Sequence, residues 1–228
     1  MKIVVTGANR GIGLELTRQY LARGDSVVAG VRDPTLAIRL TALGQAAGGR
    51  LRVAACDVTL DASVRAFAAG LRDPVDLLIN NAGIKTERDE LADLDLGNAA
   101  RTFQVNVLGV LRVTLALLPL LRRAPAAKIA SISSGLGSIE RNLTGGIYGY
   151  RISKAALNMA SRSLAQDLRK DRIVAVALTP GWVKTDMGGS GAQTEVSDSA
   201  AGLIKVIDGL KLEDSGKCIS FLGESVPW

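Results

Sequence analysis

The segment GGIYGYRISKAALN, residues 145–158, contains two tyrosines and one lysine at spacings that could support proton transfer. On a helix, side chains four positions apart lie on one face, with their Cβ atoms about 6 Å apart. Tyr150 and Lys154 have this spacing, whereas the residue four positions after Tyr148 is Ile152. The pattern therefore favours Tyr150 as a general acid or base, and it assigns Tyr148 to packing or to a pocket wall.

A lysine ammonium beside a phenol changes the proton affinity of that phenol. An isolated tyrosine has a pKa of about 10, too high for ready proton exchange near neutral pH. An ammonium about 4 Å away, at an effective dielectric of about 20, contributes about 4 kcal/mol in favour of phenolate. Burial acts in the opposite direction, so the cation must outweigh desolvation. A tyrosine and a lysine on a solvated helix face have the same spacing, so the pair alone is weak support.

The composition limits which other chemistry is possible. The 228 residues include no histidine, which excludes Ser-His-Asp hydrolysis, Cys-His catalysis and histidine-ligated zinc. The net charge is +6, but the 28 basic residues are interleaved with acids, so we expect no nucleic-acid partner. Cys56 and Cys218 have no metal-like or redox spacing, and we expect no metal site.

Two features favour a cytoplasmic protein without membrane association. The N-terminus begins directly with a strand pattern rather than with a signal peptide. The longest apolar stretch, residues 105–121, contains Arg112 and Pro119, and we expect it to be too short and too interrupted to span a bilayer. It is interpreted as a buried helix.

Short β-branched runs alternate with amphipathic segments along the chain. Strands are predicted at KIVVT, SVVAGV, LRVAAC, VDLLIN, KIASIS and IVAVAL, followed by a last helix and strand. The two longest helices are predicted over about 98–122 and 149–170. Continuous apolar strands indicate a parallel sheet with helices on both faces. The expected fold is a single α/β domain, 1–228, with a Rossmann-like, doubly wound parallel sheet of about seven strands.

A glycine-rich turn follows the first predicted strand. Gly7, Gly11 and Gly13 are spaced more widely than in the G-x-G-x-x-G dinucleotide fingerprint. Their physical use is the same, because glycines let the backbone turn tightly and bring a helix N-terminus close to a pyrophosphate. The turn predicts an anion site, although an ordinary strand-to-helix turn could contain the same glycines.

Two arginines bear on which dinucleotide would bind. A free ribose 2′-hydroxyl is usually held by an acidic residue at the end of the second strand, whereas a 2′-phosphate requires an arginine. Arg10 lies in the glycine turn, and Arg32 follows the second predicted strand, just before Asp33. NADP is therefore the favoured cofactor, with NADPH preferred over NADH. The alternative is that both arginines only cover the surface.

Further motifs occur along the chain in the order of a known family. TGANRGIG at 6–13, CDVT at 56–59, NNAG at 80–83, NVLG at 106–109, SISS at 131–134, YRISK at 150–154 and PGWVKTDM at 180–187 together resemble a short-chain dehydrogenase/reductase over essentially the whole length. GYRISKAALNM, PGWVKTDMGG and the final PW further resemble the C-factor and sniffer-like branch. This branch implies NADPH-dependent carbonyl reduction.

The resemblance implies a role for each matched residue. Tyr150 would be the general acid or base, and Lys154 would modulate its pKa and bind the nicotinamide ribose. Ser134 would hold the substrate carbonyl oxygen, and Asn106 would position the water of a proton relay. The implied cofactor contacts are Gly7, Asn9, Arg10, Gly11, Ile12, Arg32, Asp57, Val58, Asn80, Ala82, Gly83, Tyr150, Lys154, Pro180, Gly181, Val183 and Thr185.

Some of these roles have alternatives. The segment between the serine and the tyrosine is longer than is usual in the family, so Ser133, Ser134 and Ser138 are all candidates. Ser134 is chosen because it follows the predicted strand KIASIS. Asn80 and Asn106 could instead tie strands and helices together through backbone hydrogen bonds.

The expected function is hydride transfer between NADP(H) and a small carbonyl or secondary alcohol. A catalytically idle NADP-binding signalling or scaffold protein would have the same fold, but it would not need the complete set of catalytic residues. An S-adenosylmethionine-dependent methyltransferase would leave the Tyr150–Lys154 pair and Arg32 unexplained. Members of the family often associate through their long helices, so a homodimer or homotetramer is expected.

Overall fold

Runs of β-branched and aliphatic residues form the strands of one sheet. A computed structural model describes all residues, 1–228. Its seven strands are β1 (Lys2–Thr6), β2 (Ser26–Val31), β3 (Leu51–Ala55), β4 (Leu77–Asn80), β5 (Lys128–Ile132), β6 (Val174–Thr179) and β7 (Cys218–Ser220).

The strands are all parallel, in the order β3-β2-β1-β4-β5-β6-β7. The connections lead outward in one direction from β1 and in the other direction from β4. At such a reversal the loops at the carboxyl ends of the two strands diverge and leave a crevice. The predicted α/β domain with a doubly wound, Rossmann-like sheet is confirmed.

Helices cover both faces of the sheet. They are α1 (Gly11–Ala22), α2 (Ile38–Ala46), α3 (Asp61–Ala69), α4 (Leu96–Phe103), α5 (Gly109–Leu121), α6 (Tyr148–Asp167) and α7 (Val196–Gly209). The single helix predicted over about 98–122 is instead α4 and α5, joined by one π-helical turn at Gln104–Leu108.

Alternate side chains of each strand pack into two separate hydrophobic clusters. In β1, Ile3 and Val5 belong to the cluster formed with α1, α2 and α7, whereas Val4 belongs to the cluster formed with α3, α5 and α6. Because both faces of a strand are buried, both need apolar side chains. This is why the strands read as continuous apolar runs in the sequence.

The helical stretch Leu96–Leu121 is 26 residues long and contains an 18-residue window with a mean hydropathy of 1.7, enough in length and composition to cross a membrane. The expectation that this segment is too short for a span is therefore wrong. The stretch is nevertheless a helix of the core, because Val113, Leu117 and Leu121 are buried in the cluster beneath the sheet. The packing of these side chains, and not the length of the helix, shows that it belongs to the hydrophobic core.

Leu117→Ala and Leu115→Ala test this packing on one helix. Leu117 is 0% exposed and Leu115 is 65% exposed. We expect Leu117→Ala to lower the free energy of unfolding by about 2–5 kcal/mol, because it leaves a cavity against the sheet. Leu115→Ala should change it by less than about 0.5 kcal/mol. Urea unfolding followed by circular dichroism measures both, and equal losses would contradict the assignment of the buried face.

Candidate active site

The loops at the carboxyl ends of the strands enclose a cleft of about 2020 Å³. It lies where the topology places a crevice, beside β1 and β4. The predicted site residues that line it are Gly7, Asn9, Arg10, Gly11, Ile12, Arg32, Asp57, Val58, Ala82, Gly83, Ser134, Tyr150, Lys154, Pro180, Gly181, Val183 and Thr185.

The turn after β1 is held against the loop after β4. The hydroxyl of Thr6 accepts hydrogen bonds from the backbone N–H groups of Asn81 and Ala82, each at 3.1 Å. The Asn81 side chain donates to the carbonyls of Thr6 at 2.9 Å and Gly7 at 3.1 Å. Asn81 was not among the predicted site residues. Its signal was the second asparagine of NNAG.

This close contact requires glycine at two positions. Gly7 has φ +65°, and a Cβ there would lie 2.8 Å from the Ala82 Cα. A Cβ on Gly13 would collide with the side-chain nitrogen of Asn81 and lie 2.6 Å from the Gly7 carbonyl oxygen. The glycines therefore let the first turn of α1 lie directly against the β4 loop, with its N-terminus at the cleft.

Lys154 and Tyr150 lie on one face of α6, as their spacing predicts. The Lys154 ammonium is buried and donates a hydrogen bond to the Ile132 carbonyl at the end of β5, at 2.8 Å. It lies 5.6 Å from the centroid of the Tyr150 ring. Burial lowers the pKa of Lys154 to about 8. The ammonium therefore remains the main form at neutral pH.

The pKa of Tyr150 is shifted upward, whereas a neighbouring lysine cation was expected to lower it. Burial raises the pKa of Tyr150 above its ordinary value, and the hydroxyl of Ser134 opposes this rise. The condition that a lysine cation outweighs desolvation is not met in this structure. The Lys154 ammonium donates its hydrogen bond to the Ile132 carbonyl and not to the phenol. Tyr150 is a protonated phenol at neutral pH, which is the form of a proton donor.

Two of the three candidate serines have their hydroxyls bonded elsewhere. The Ser133 hydroxyl donates to the side-chain oxygen of Asn158 at 2.6 Å, and both groups are buried. The Ser138 hydroxyl donates to the Trp228 carbonyl at 3.1 Å. These two serines hold the loop after β5 in place.

Ser133 also lines the cleft, but only Ser134 among the three donates its hydroxyl proton to no other protein group. The Ser134 hydroxyl lines the cleft and lies close enough to Tyr150 to affect the pKa of the phenol. Its oxygen accepts a hydrogen bond from the Leu136 N–H at 3.1 Å, which begins the short 3₁₀ turn Gly135–Gly137. This bond fixes the oxygen and leaves the hydroxyl proton free to donate.

Two predicted asparagines do not line the cleft. The Asn106 amide nitrogen donates to the Ile84 carbonyl at 2.9 Å and to the Ser153 hydroxyl at 3.0 Å, and its oxygen accepts from the Ile84 N–H at 2.8 Å. Asn80 donates to the Thr114 hydroxyl at 3.2 Å. Both side chains tie the β4 region to helices. Asn106 does so through the Ile84 backbone, as the alternative expects, whereas Asn80 does so through the Thr114 hydroxyl.

Arginines line the far end of the cleft, beyond β2. Arg32 lies there as predicted, together with Arg39 of α2, which was not among the predicted site residues. Neither takes part in an ion pair, whereas Arg10 pairs with Asp186 at 3.1 Å and both of these are exposed. Arg39 follows Arg32 by seven residues, so no local motif connects them.

The acidic residue beside Arg32 is engaged with its own loop. The Asp33 carboxylate accepts hydrogen bonds from the N–H of Thr35 at 2.9 Å and from its hydroxyl at 2.6 Å. These bonds cap the short turn Pro34–Leu36 and hold the pKa of Asp33 below its usual value. Asp33 stays ionised and lines the cleft, but Arg32 and Arg39 outnumber it, so the net charge of these three residues is positive.

Comparison with known proteins agrees with this geometry. A family model described as short chain dehydrogenase matches residues 1–196. The C-signal protein of Myxococcus xanthus is 50% identical over 166 residues, which cover 72% of this chain and 100% of that protein. The NADPH-bound carbonyl reductase from chicken fatty liver has a TM-score of 0.95 and 36% identity, covering 100% of this chain and 98% of the other. For the carbonyl reductase Sniffer of D. melanogaster, the TM-score is 0.94 and the identity 32%, covering 100% of this chain and 99% of that chain.

Gly13→Ala and Gly44→Ala compare one substitution in two helices. Replacing a helical glycine by alanine normally stabilises a helix by up to about 1 kcal/mol. We expect this gain at Gly44, where the new Cβ meets only the Leu51 side chain at 3.8 Å. Gly13→Ala should instead destabilise by about 1–3 kcal/mol, because the Cβ overlaps Asn81. Urea unfolding checks both, and a gain at Gly13 would show that the turn is not tightly packed.

Proposed function

The chain belongs to the short-chain dehydrogenase/reductase family, and we propose that it is an NADP(H)-dependent reductase of small carbonyl compounds. The observation that carries this proposal is the convergence of the Ser134 hydroxyl, the Tyr150 phenol and the Lys154 ammonium at one cleft. The solved structures with similar folds and at least 30% identity include an NADPH-bound carbonyl reductase, which supports the same activity.

The residues present fit NADP(H). The cleft contains a helix N-terminus for the pyrophosphate, and Arg32 and Arg39 are free to bind a 2′-phosphate. One carboxylate oxygen of Asp33, which would favour a free 2′-hydroxyl, is already bonded to Thr35. When bound, the cofactor supplies the hydride that reduces the carbonyl carbon. We also propose that Asp57, Val58 and the segment beginning at Pro180, which line the same cleft, contact the cofactor.

The proton chemistry comes from three side chains. The Ser134 hydroxyl donates a hydrogen bond to the substrate carbonyl oxygen, on which negative charge develops during reduction. Tyr150 transfers its phenolic proton to that oxygen, because an alkoxide is a stronger base than phenolate. The Lys154 ammonium, 5.6 Å from the ring centroid, stabilises the phenolate that remains. The raised pKa of Tyr150 keeps the donor protonated before the reaction.

Asn106 belongs to this proposal as the residue that positions the water of a proton relay. Both ends of its side chain are already bonded to Ile84 and Ser153. These bonds fix the π-helical turn Gln104–Leu108 against the loop after β4 and against α6. Asn80 acts behind the cleft wall, where it supports the β4 loop through Thr114.

The proposal also includes self-association of the protein and a cytoplasmic location. The outer faces of α5 and α6 expose Leu115, Ile152 and Met159, and these side chains support a homodimer or homotetramer formed through the long helices. Cys56 and Cys218 are both free thiols, which supports a reducing, cytoplasmic location.

A second function has one specific observation in its favour. The relative with 50% identity is named C-signal, so a signalling protein that only binds NADP(H) is the alternative. Oxidation of NADPH, followed optically with a panel of aldehydes, ketones and quinones, distinguishes the two. Turnover with any of them supports the reductase, and binding of NADPH without turnover across the panel supports the signalling protein.

Tyr150→Phe and Tyr148→Phe test the proton donor. Removing the hydroxyl of Tyr150 should lower kcat by about 10²- to 10⁴-fold, the usual contribution of general acid catalysis. NADPH affinity, measured by fluorescence titration, should be largely kept. Tyr148 does not line the cleft, and Tyr148→Phe should leave kcat nearly unchanged. A Tyr150→Phe enzyme that reduces carbonyls at the parent rate would refute the assignment.

Arg32→Ala tests the choice of cofactor. A hydrogen bond to a charged phosphate contributes about 1.5–3 kcal/mol, so KM for NADPH should rise by about 10- to 100-fold. KM for NADH should change little, because NADH lacks the 2′-phosphate. Arg72→Ala is the control, because Arg72 is exposed and lies outside the cleft; it should leave KM for both cofactors unchanged. Equal effects on NADPH and NADH would remove Arg32 from 2′-phosphate recognition.

A further inference from the structure

The helix that carries Tyr150 begins without a capping side chain of its own. α6 starts at Tyr148, and the residue before it, Ile147, has φ +50° and an apolar side chain that cannot accept a hydrogen bond. The first N–H groups of a helix have no partner within the helix. Leaving them buried and unpaired is costly, so a partner must come from elsewhere in the chain.

Asp89, in the loop between β4 and α4, supplies that partner. Its backbone carbonyl accepts a hydrogen bond from the Tyr148 N–H at 2.9 Å. Its two carboxylate oxygens accept from the N–H groups of Gly149 at 2.6 Å and Tyr150 at 3.0 Å. Three successive N–H groups of α6 therefore end on one residue from a distant loop.

The contact is buried and closely fitted. Asp89 is 6% exposed, so its carboxylate is compensated by these N–H groups and by the positive end of the α6 dipole rather than by water. A Cβ on Gly149 would lie 2.9 Å from the Asp89 oxygen and 2.9 Å from the Ala99 Cα. The start of α6 is thus held between the Asp89 loop and α4.

The same loop borders the reaction space. A side pocket of about 470 Å³ is lined by Asp89 and Ile147, and it shares Ile84, Lys85 and Met187 with the main cleft. A loop that faces the space beside Tyr150 is therefore directly bonded to the helical turn that carries Tyr150.

We infer that Asp89 is a positioning residue, which holds the first turn of α6 and thereby keeps the Tyr150 hydroxyl beside Ser134. The inference rests on the proposed reductase function, because it assigns Asp89 an effect on turnover. Asp89 acts through the backbone only, since its carboxylate bonds to N–H groups and to no reacting atom. Tyr150 is the third residue of α6, so loosening of the first turn moves it directly.

Asp89→Ala and Asp89→Asn test the inference, with Asp95→Ala as the matched control. Asp95 lies in the same loop and caps α4 through the Asn98 N–H at 3.0 Å, but α4 carries no catalytic residue. Misplacement of a catalytic group by about 1 Å can cost about 100-fold, so kcat of Asp89→Ala should fall by about 10- to 100-fold. Asp89→Asn keeps one acceptor oxygen and should lose less. KM for NADPH in both variants, and kcat of Asp95→Ala, should stay within about two-fold of the parent.

Hydrogen exchange at Gly149 and Tyr150, measured on the same proteins, is independent of activity. We expect faster exchange in both Asp89 variants and no change in Asp95→Ala. Parent-like kcat in both Asp89 variants, or unchanged exchange at these amides, would overturn the inference. So would a parallel loss of NADPH affinity and kcat, which indicates general loss of structure. If Asp89→Ala does not fold, Asp89→Asn decides. An inactive parent would overturn the proposed function instead, and the exchange rates would then decide whether Asp89 holds the turn.

Discussion

The site depends on a positive charge that is kept inside the protein. Removing an ammonium from water is unfavourable, and at Lys154 the structure offsets this cost with one main-chain carbonyl, that of Ile132 at the end of β5. The carbonyl is in place because β5 is a central strand of the sheet, paired on both sides. The closely packed Gly137, where a Cβ would lie 2.8 Å from the Lys154 backbone, keeps the loop after β5 against α6. Sheet, loop and helix thus meet around one cation, and the phenol beside it is part of the same assembly.

Most of the fold could be predicted from the sequence, because its main signals are local. The strands β1 and β2 coincide with their predicted apolar runs, and all seven strands have the expected parallel arrangement. The signal was continuous hydrophobicity, which follows from burial on both faces. The interruption of the long helix at Gln104–Leu108 was not predicted, because a π-helical turn leaves no clear mark in hydrophobic periodicity. Length and composition also could not show whether the helix Leu96–Leu121 spans a membrane or lies in the core. They report how apolar a helix is, whereas its packing shows what it contacts.

The candidate site was predictable where residue type and chain position were enough. The spacing of Tyr150 and Lys154 placed them on one helical face, and the other predicted residues line one cleft, with the exception of Asn80 and Asn106. The direction of the Tyr150 pKa shift was not predictable, because it depends on how completely the ring is desolvated. Nor were Asn81, Arg39 and Asp89. Their roles arise from contacts between segments far apart in the chain, and a carboxylate that caps a helix sixty positions away has no local pattern.

The central position of β1 has a consequence for how the protein reaches this structure. The Lys2 N–H donates to the Asp76 side chain at 2.7 Å, across a sequence separation of 74 residues, and β1 then pairs with β4 in register. Closing so large a loop is entropically costly before any compensating contact forms. Folding that depends on such distant pairings is slow compared with that of helical bundles of similar stability. During synthesis, β1 cannot pair with β4 until residues 77–80 have left the ribosome, and a strand edge that is unpaired in that interval favours aggregation.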